Sequence, residues 1–218
     1  MLVNLSHVLT KETPGFAGGP SLTISPIKEI KMGGSSNSYN LHFSNHLGTH
    51  IDCPNHFDEN GKTVSKYKLD DFIFNSELLV DIPKKDSELI EASDLAKFEK
   101  DINKVEILLI RTKFQRYREL EPERYSKVNP GLSSEGAKYI VDKFPKLKAI
   151  GLDIISVSSA SNRDEGRKAH AILLKERDFF IIEDMNLSNY IANIKRIFAI
   201  PIFINGVDSS PCTVFAEI

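Results

Sequence analysis

Four short runs from residue 105 onward are almost wholly apolar: "VEILLI" (105–110), "KAIGLDI" (148–154), "DFFIIE" (178–183) and "IFAIPIFI" (197–204). A strand with one wet face alternates apolar and polar residues. Runs like these therefore predict strands covered on both faces, which requires a sheet with layers on either side. Earlier in the chain, alternating or β-rich patterns predict strands at 2–9, 22–30, 38–43 and 78–82. In "SYNLHF" the apolar Tyr39, Leu41 and Phe43 share one face, and Ser38, Asn40 and His42 the other. Helical periodicity covers 91–100 and 135–144, with Ser133 or Ser134 as cap of the second, and a short helix is expected over 169–176. Strands dominate early and helices alternate with strands later. The fold class is mixed α/β, as one domain over 1–218, without the regular alternation of a doubly wound sheet.

The stretch "HLGTHIDCPNHF" (46–57) holds three of the six histidines of the chain, and an aspartate, within eleven residues. Imidazole and carboxylate are the donors that suit zinc, manganese or iron. Gly48 disfavours a helix here, and Pro54 pushes Cys53 toward extended backbone. A turn at Gly48-Thr49 should therefore lead into an extended piece, where His50 and Asp52, two apart, point the same way. Pro54 ends that piece and lets His56 face the same spot from elsewhere, while His46 approaches from the turn. An exposed polar loop is the bland alternative, and the density of donors argues against it. A metal with three protein ligands and an open position lowers the pKa of bound water toward ~7. A fourth histidine that is not a ligand can then shuttle protons, and His56 is the candidate. His170 on the third helix and Glu183 at the end of "FFIIE" offer a second supply of ligands. If Asp52 bridges, these residues complete a two-metal site with ions roughly 3.5–4 Å apart.

Several functions are not supported. The formal net charge of −2 gives no electrostatic reason to expect nucleic acid. No apolar run approaches a membrane span, and the N-terminus lacks the pattern of a secretory signal, so a cytoplasmic location is expected. Two cysteines, Cys53 and Cys212, suggest neither a disulfide framework nor a CxxC site, and Cys53 reads as buried filler rather than a nucleophile. GxSxG, HExxH, GxGxxG and GxxxxGK[ST] motifs are absent. His7 and His42 read as ordinary histidines.

"HLGTHIDCPNHF" resembles the H-x-G-T-H-x-D-x-P-x-H-F signature of the cyclase family, which includes bacterial kynurenine formamidases and isatin hydrolases. Similarity extends to "NLSHVLT", "LLIRT", "GLDIISV", "AHAILL", "IIEDMNLSN" and "SSPCTVFA". The resemblance implies a swivelling β/β/α domain with a barrel-like sheet core flanked by helices, assembled as a homodimer or homotetramer. It places the metal ligands at His46, His50, Asp52, His170 and Glu183, and the catalytic histidine at His56. It implies a small-molecule substrate, one or two divalent ions (zinc first, manganese second) and hydrolysis of a C–N bond in an N-formylkynurenine-like formamide of tryptophan catabolism. Isatin- or lactone-type ring opening and polyketide-type cyclisation are alternatives within the family. A metal- or ligand-binding protein without chemistry is the alternative outside it. Two departures bear on the substrate: "FAGGP" (16–20) has Gly19 where relatives often carry an aspartate, and tryptophan is absent. Self-association is also expected because the N-terminal strand and the "FAGGP" loop have no obvious partner within the chain.

Overall fold

Each of the four apolar runs carries a strand. The computed structural model describes residues 1–175, 177–190 and 192–218. In chain order its strands are β1 (Leu2–Asn4), β2 (Thr23–Lys28), β3 (Ser38–His42), β4 (His50–Asp52), β5 (Ile73–Phe74), β6 (Glu77–Asp81), β7 (Leu89–Ile90), β8 (Ile107–Arg111), β9 (Gly131–Leu132), β10 (Ala149–Leu152), β11 (Phe180–Glu183), β12 (Arg196–Pro201) and β13 (Ser209–Glu217). The helices are α1 (Ala92–Ala96), α2 (Glu99–Ile102), α3 (Tyr117–Leu120), α4 (Pro122–Lys127), α5 (Ser134–Lys143) and α6 (Arg163–Leu174).

Nine strands form one sheet in the order β5-β12-β13-β4-β11-β10-β8-β6, with β1 added on β13. From β6 to β11 the neighbours run parallel, and from β11 to β5 they run antiparallel. The two ends of that path, β5 and β6, are separated in the chain only by Asn75 and Ser76. The sheet must therefore curl back toward its own beginning, giving a nearly closed, barrel-like layer. β1 pairs β13 from Leu2↔Glu217 to Asn4↔Phe215, so the N-terminal strand finds its partner at the far end of the chain, contrary to expectation.

Burial on both faces is explicit in the alternation along β8 and β10. Leu108, Ile110, Ile150 and Leu152 pack with Leu95, Ile102, Ala137, Ile140 and Leu173 on the helical side. Ile107, Leu109 and Ala149 pack with Ile51, Ile197, Val214 and Ala216 on the other side. Each face contributes roughly 25 cal/mol per Å² of apolar surface removed from water. The predicted caps and boundaries shift modestly. Ser133 accepts from the Gly136 N–H at 3.0 Å and starts α5. The helix expected at 169–176 begins six residues earlier, at Arg163, and its expected end at Glu176 lies outside the described residues. Its early turns are charged apart from Gly166, so they carry no apolar period. The helix expected at 91–100 is two short pieces, α1 and α2. No helix among the described residues is long and apolar enough to cross a membrane.

Candidate active site

β4 is the inner strand on which the site is built. It lies between β11 and β13, with Glu183 opposite His50 and Ser209 opposite Asp52. Cross-strand partners project on the same side of a sheet, so this register alone brings His50, Asp52 and Glu183 to one spot. The expected turn precedes it: Gly48 has φ +70°, and a Cβ there would come within 2.3 Å of Leu9 Cδ2. Glycine meets both demands. After Pro54 a single 3-10 turn, Pro54–His56, returns the chain to the site, so the extended piece and the turn stand as the residues predicted.

All six sequence-predicted residues come together. His46 Nδ1 lies 3.0 Å from Asp52 Oδ1, and His50 Nε2 lies 3.5 Å from Asp52 Oδ1 and 3.3 Å from Glu183 Oε2. His170 Nε2, carried by α6, is 3.4 Å from Glu183 Oε1 and 3.9 Å from Asp52 Oδ2. The His56 ring centroid is 4.3 Å from that of His46 and 5.6 Å from that of His170. Phe57 stacks on His170 at 4.9 Å.

The outer nitrogens of the two innermost histidines are occupied by backbone. His50 Nδ1 is 2.8 Å from the Gly48 carbonyl, and His170 Nδ1 is 2.9 Å from the Gly166 carbonyl. A carbonyl only accepts, so each Nδ1 carries the proton and donates it. Each Nε2 is therefore the nitrogen turned toward Asp52 and Glu183, the one that can take a cation when its proton leaves. Glu183 Oε1 accepts from the Val157 N–H at 2.7 Å and the Ser156 hydroxyl at 3.1 Å. By contrast His50 Nε2 and both oxygens of Asp52 are buried and make no aligned hydrogen bond, despite the short approaches. Buried polar atoms are seldom left so.

The charges follow from this crowding. Burial pushes Asp52 up, but His50 and His46 outweigh it and hold its carboxyl well below the usual range. Burial and the Asp52 charge raise Glu183, while His170 and His50 bring it down to about 2. Burial opposes a charged His46, yet Asp208 and Asp52 raise it to about 10. His50 and His170 are likewise raised against burial, His50 by Asp52 and His170 by Glu183. Two fully buried carboxylates thus draw positive charge onto His46, His50 and His170. Convergent ring nitrogens and orphaned carboxylate oxygens are what a divalent cation would satisfy by displacing those protons, and within the described residues two donor groups converge closely, His50–Asp52–Glu183 and His46–Asp52–His56.

Asp208 was not legible as a site residue. It immediately precedes β13, and its Oδ2 lies 2.6 Å from His56 Nδ1 and 3.1 Å from His46 Nε2. The only sequence signal was its position next to the recognised "SSPCTVFA" stretch. Cys53 and Cys212 are buried, and burial pushes both thiols up, which disfavours a thiolate nucleophile. A cavity of about 620 Å³ opens elsewhere, between Arg111, Lys113, Arg118 and Asp153, and none of the six residues lines it. Solvent reaches the site through His46, His56 and Asp208 instead, whose side chains are 26–29% exposed.

A family model described as "Putative cyclase" matches residues 3–159. A kynurenine formamidase of Bacillus thuringiensis subsp. konkukian is 27% identical over 213 residues, covering 96% of this chain and 93% of its own. An isatin hydrolase bound to the product analogue thioisatinate superposes with a TM-score of 0.82 at 19% identity, covering 100% of this chain and 92% of its own. A structure described as a potential metal-dependent hydrolase with cyclase activity gives a TM-score of 0.77 at 23% identity, covering 99% and 96%.

Proposed function

The chain belongs to the cyclase family, and from that premise we propose that it is a metal-dependent hydrolase cleaving a C–N bond in a small amide, with N-formylkynurenine-like formamides as the substrate class. The observation that carries this reading is the set of buried, unbonded donor atoms on Asp52 and His50 beside a histidine, His56, that stands outside the inner cluster. His46, His50 and Asp52 would hold the first ion, and His170 and Glu183 would complete a second position with Asp52 between them. The ion we expect is zinc, with manganese as the alternative, and the assembly we expect is a homodimer. When bound, such an ion supplies Lewis acidity, polarising a carbonyl and lowering the pKa of water toward ~7.

The remaining work falls to the chain itself. His50 and His170 are locked by their Nδ1–H donations and keep Nε2 aimed inward. Phe57 covers the His170 ring and limits water on that side. As water adds to the amide carbonyl and forms the new C–O bond, His56 would take the water's proton at Nε2 and deliver it to the nitrogen as the C–N bond breaks. An amide needs this because an amine anion is a very poor leaving group.

The test is turnover of a small panel of formamides, cyclic imides and lactones by protein loaded with zinc or manganese, and by the same protein after chelation. Metal-dependent cleavage with formamides preferred is the expected result. Folded, metal-loaded protein inert toward the whole panel would instead make it a binding protein.

A further inference from the structure

We propose that Asp208 is the positioning residue of this site, one carboxylate that fixes the tautomer of His56 and orients His46. The inference rests on the hydrolase reading above for its consequence, though not for its geometry. His56 Nδ1 approaches Asp208 Oδ2 at 2.6 Å. A carboxylate at that distance accepts, so Nδ1 carries the proton and Nε2 keeps the lone pair. His56 Nε2 has no hydrogen-bond partner among the described residues, which leaves it free to take a proton and pass it on.

Asp208 is itself held from several directions. Its Oδ1 accepts from the Asn45 amide at 2.9 Å, and its backbone carbonyl accepts from the Cys53 N–H at 2.9 Å. The Val64 N–H donates to the carbonyl of neighbouring Val207 at 3.0 Å. The next residue, Ser209, is in register with Asp52. The carboxylate is thereby tied to both sides of the "HLGTHIDCPNHF" segment, although it lies 152 residues from His56.

The same Oδ2 meets His46 Nε2 at 3.1 Å, while His46 Nδ1 faces Asp52. With a proton on Nε2 directed at Asp208, Nδ1 is the nitrogen that can give up its proton and serve as a ligand atom toward the inner cluster. Carboxylates that orient metal-binding imidazoles in this way typically alter metal affinity 10–100-fold when removed. Asp208 therefore couples the inner cluster to the proton-handling histidine through one oxygen.

An uncoupled neutral imidazole in water favours the Nε2–H form. Loss of the Asp208 acceptor should move His56 toward that form and take away its free lone pair. The experiment compares wild type with Asp208→Asn, which keeps the volume, and Asp208→Ala, which removes the acceptor. Imidazole ¹⁵N NMR of the metal-free protein reads the tautomer, elemental analysis at saturating zinc reads the metal, and kinetics read kcat and KM. In wild type His56 should show a protonated Nδ1 and an unprotonated Nε2. In Asp208→Ala the proton should move to Nε2. At saturating zinc, kcat should fall about 10²–10⁴-fold with KM nearly unchanged, the range of a lost acid–base group. Asp208→Asn should unfold like wild type and share the kinetic loss.

A wild-type His56 protonated on Nε2 would overturn the inference. So would a tautomer unchanged by Asp208→Ala, or activity fully restored to the variants by excess zinc. The tautomer measurement needs no turnover. A wild-type protein inert on every substrate, but with the Asp208-dependent tautomer, would count against the hydrolase reading alone.

Discussion

Asp52 and Glu183 sit side by side with essentially no exposure, an arrangement whose repulsion only nearby positive charge can offset. The histidines around them divide into two kinds by what holds their outer nitrogens. His50 and His170 donate to backbone carbonyls, whereas His56 turns its Nδ1 to a carboxylate and stays about a quarter exposed. The first kind suits permanent donors; His46 shares Asp208 with His56 but turns its other nitrogen to Asp52 at 3.0 Å, so His56 is the one that suits a group exchanging protons. His56→Ala should therefore keep its metal by elemental analysis while losing about 10²–10⁴-fold in amide hydrolysis. An activated ester or lactone should lose less, because its alkoxide leaves with less help than an amine. Wild-type amidase activity in that variant, or failure to hold metal, would reverse the assignment. At this scale the sequence was informative wherever donors were close in the chain. Asp208 escaped because an isolated aspartate in a turn carries no signal until the fold brings it back to His56.

Elements were legible where one physical cause dominates. The all-apolar runs became buried strands because no face of them tolerates water. β13 was missed for the opposite reason: its start, Ser209-Ser210-Pro211, has the composition of a turn, and proline contributes no ladder donor. It is nonetheless the strand that pairs β1, β4 and β12 together. Strand ends also carry their own electrostatics. Asp153, just after β10, accepts from the Thr112 N–H at 2.7 Å, the Thr112 hydroxyl at 2.6 Å and the Lys113 N–H at 2.9 Å, tying down the turn that follows β8. Burial raises this carboxyl to about 6 in spite of those donors. Raised above its unfolded value of 3.8, the group binds its proton more tightly when folded. Its contribution therefore grows less favourable as pH rises through the window from 3.8 to about 6, and the full cost is present above it. Asp153→Asn has no such titration. The stability of wild type relative to this variant should fall by about 2 kcal/mol between pH 4 and pH 7 in denaturant unfolding. A difference that does not vary with pH would place the Asp153 titration outside that window.

At the scale of the molecule, one part stands apart from the barrel-like sheet. β2 and β3 pair only with each other, through Ile24↔Leu41 and Pro26↔Tyr39. The alternation read in "SYNLHF" is present, yet its apolar face has no cover: Leu41 is 59% exposed and Tyr39 45%, and Ile27, Ile30 and Met32 beside them exceed half. An isolated two-stranded ribbon is marginal in water, and exposed apolar side chains gathered on and beside one ribbon mark a place where another surface belongs. Because β1 pairs β13 within the chain, the N-terminal strand needs no second copy to complete it. The ribbon supplies a stronger motive for self-association. Two copies packed ribbon to ribbon need about 800 Å² from each partner to form a stable interface. That packing would extend to the site, because the chain passes from β3 through three residues to His46. Sedimentation at micromolar concentration should give a species of twice the 24.5 kDa chain mass. Leu41→Glu should shift it toward the single chain while the circular dichroism of the barrel stays unchanged. Wild-type protein sedimenting only at 24.5 kDa would remove the dimer and leave the ribbon's apolar face to be explained by a different partner.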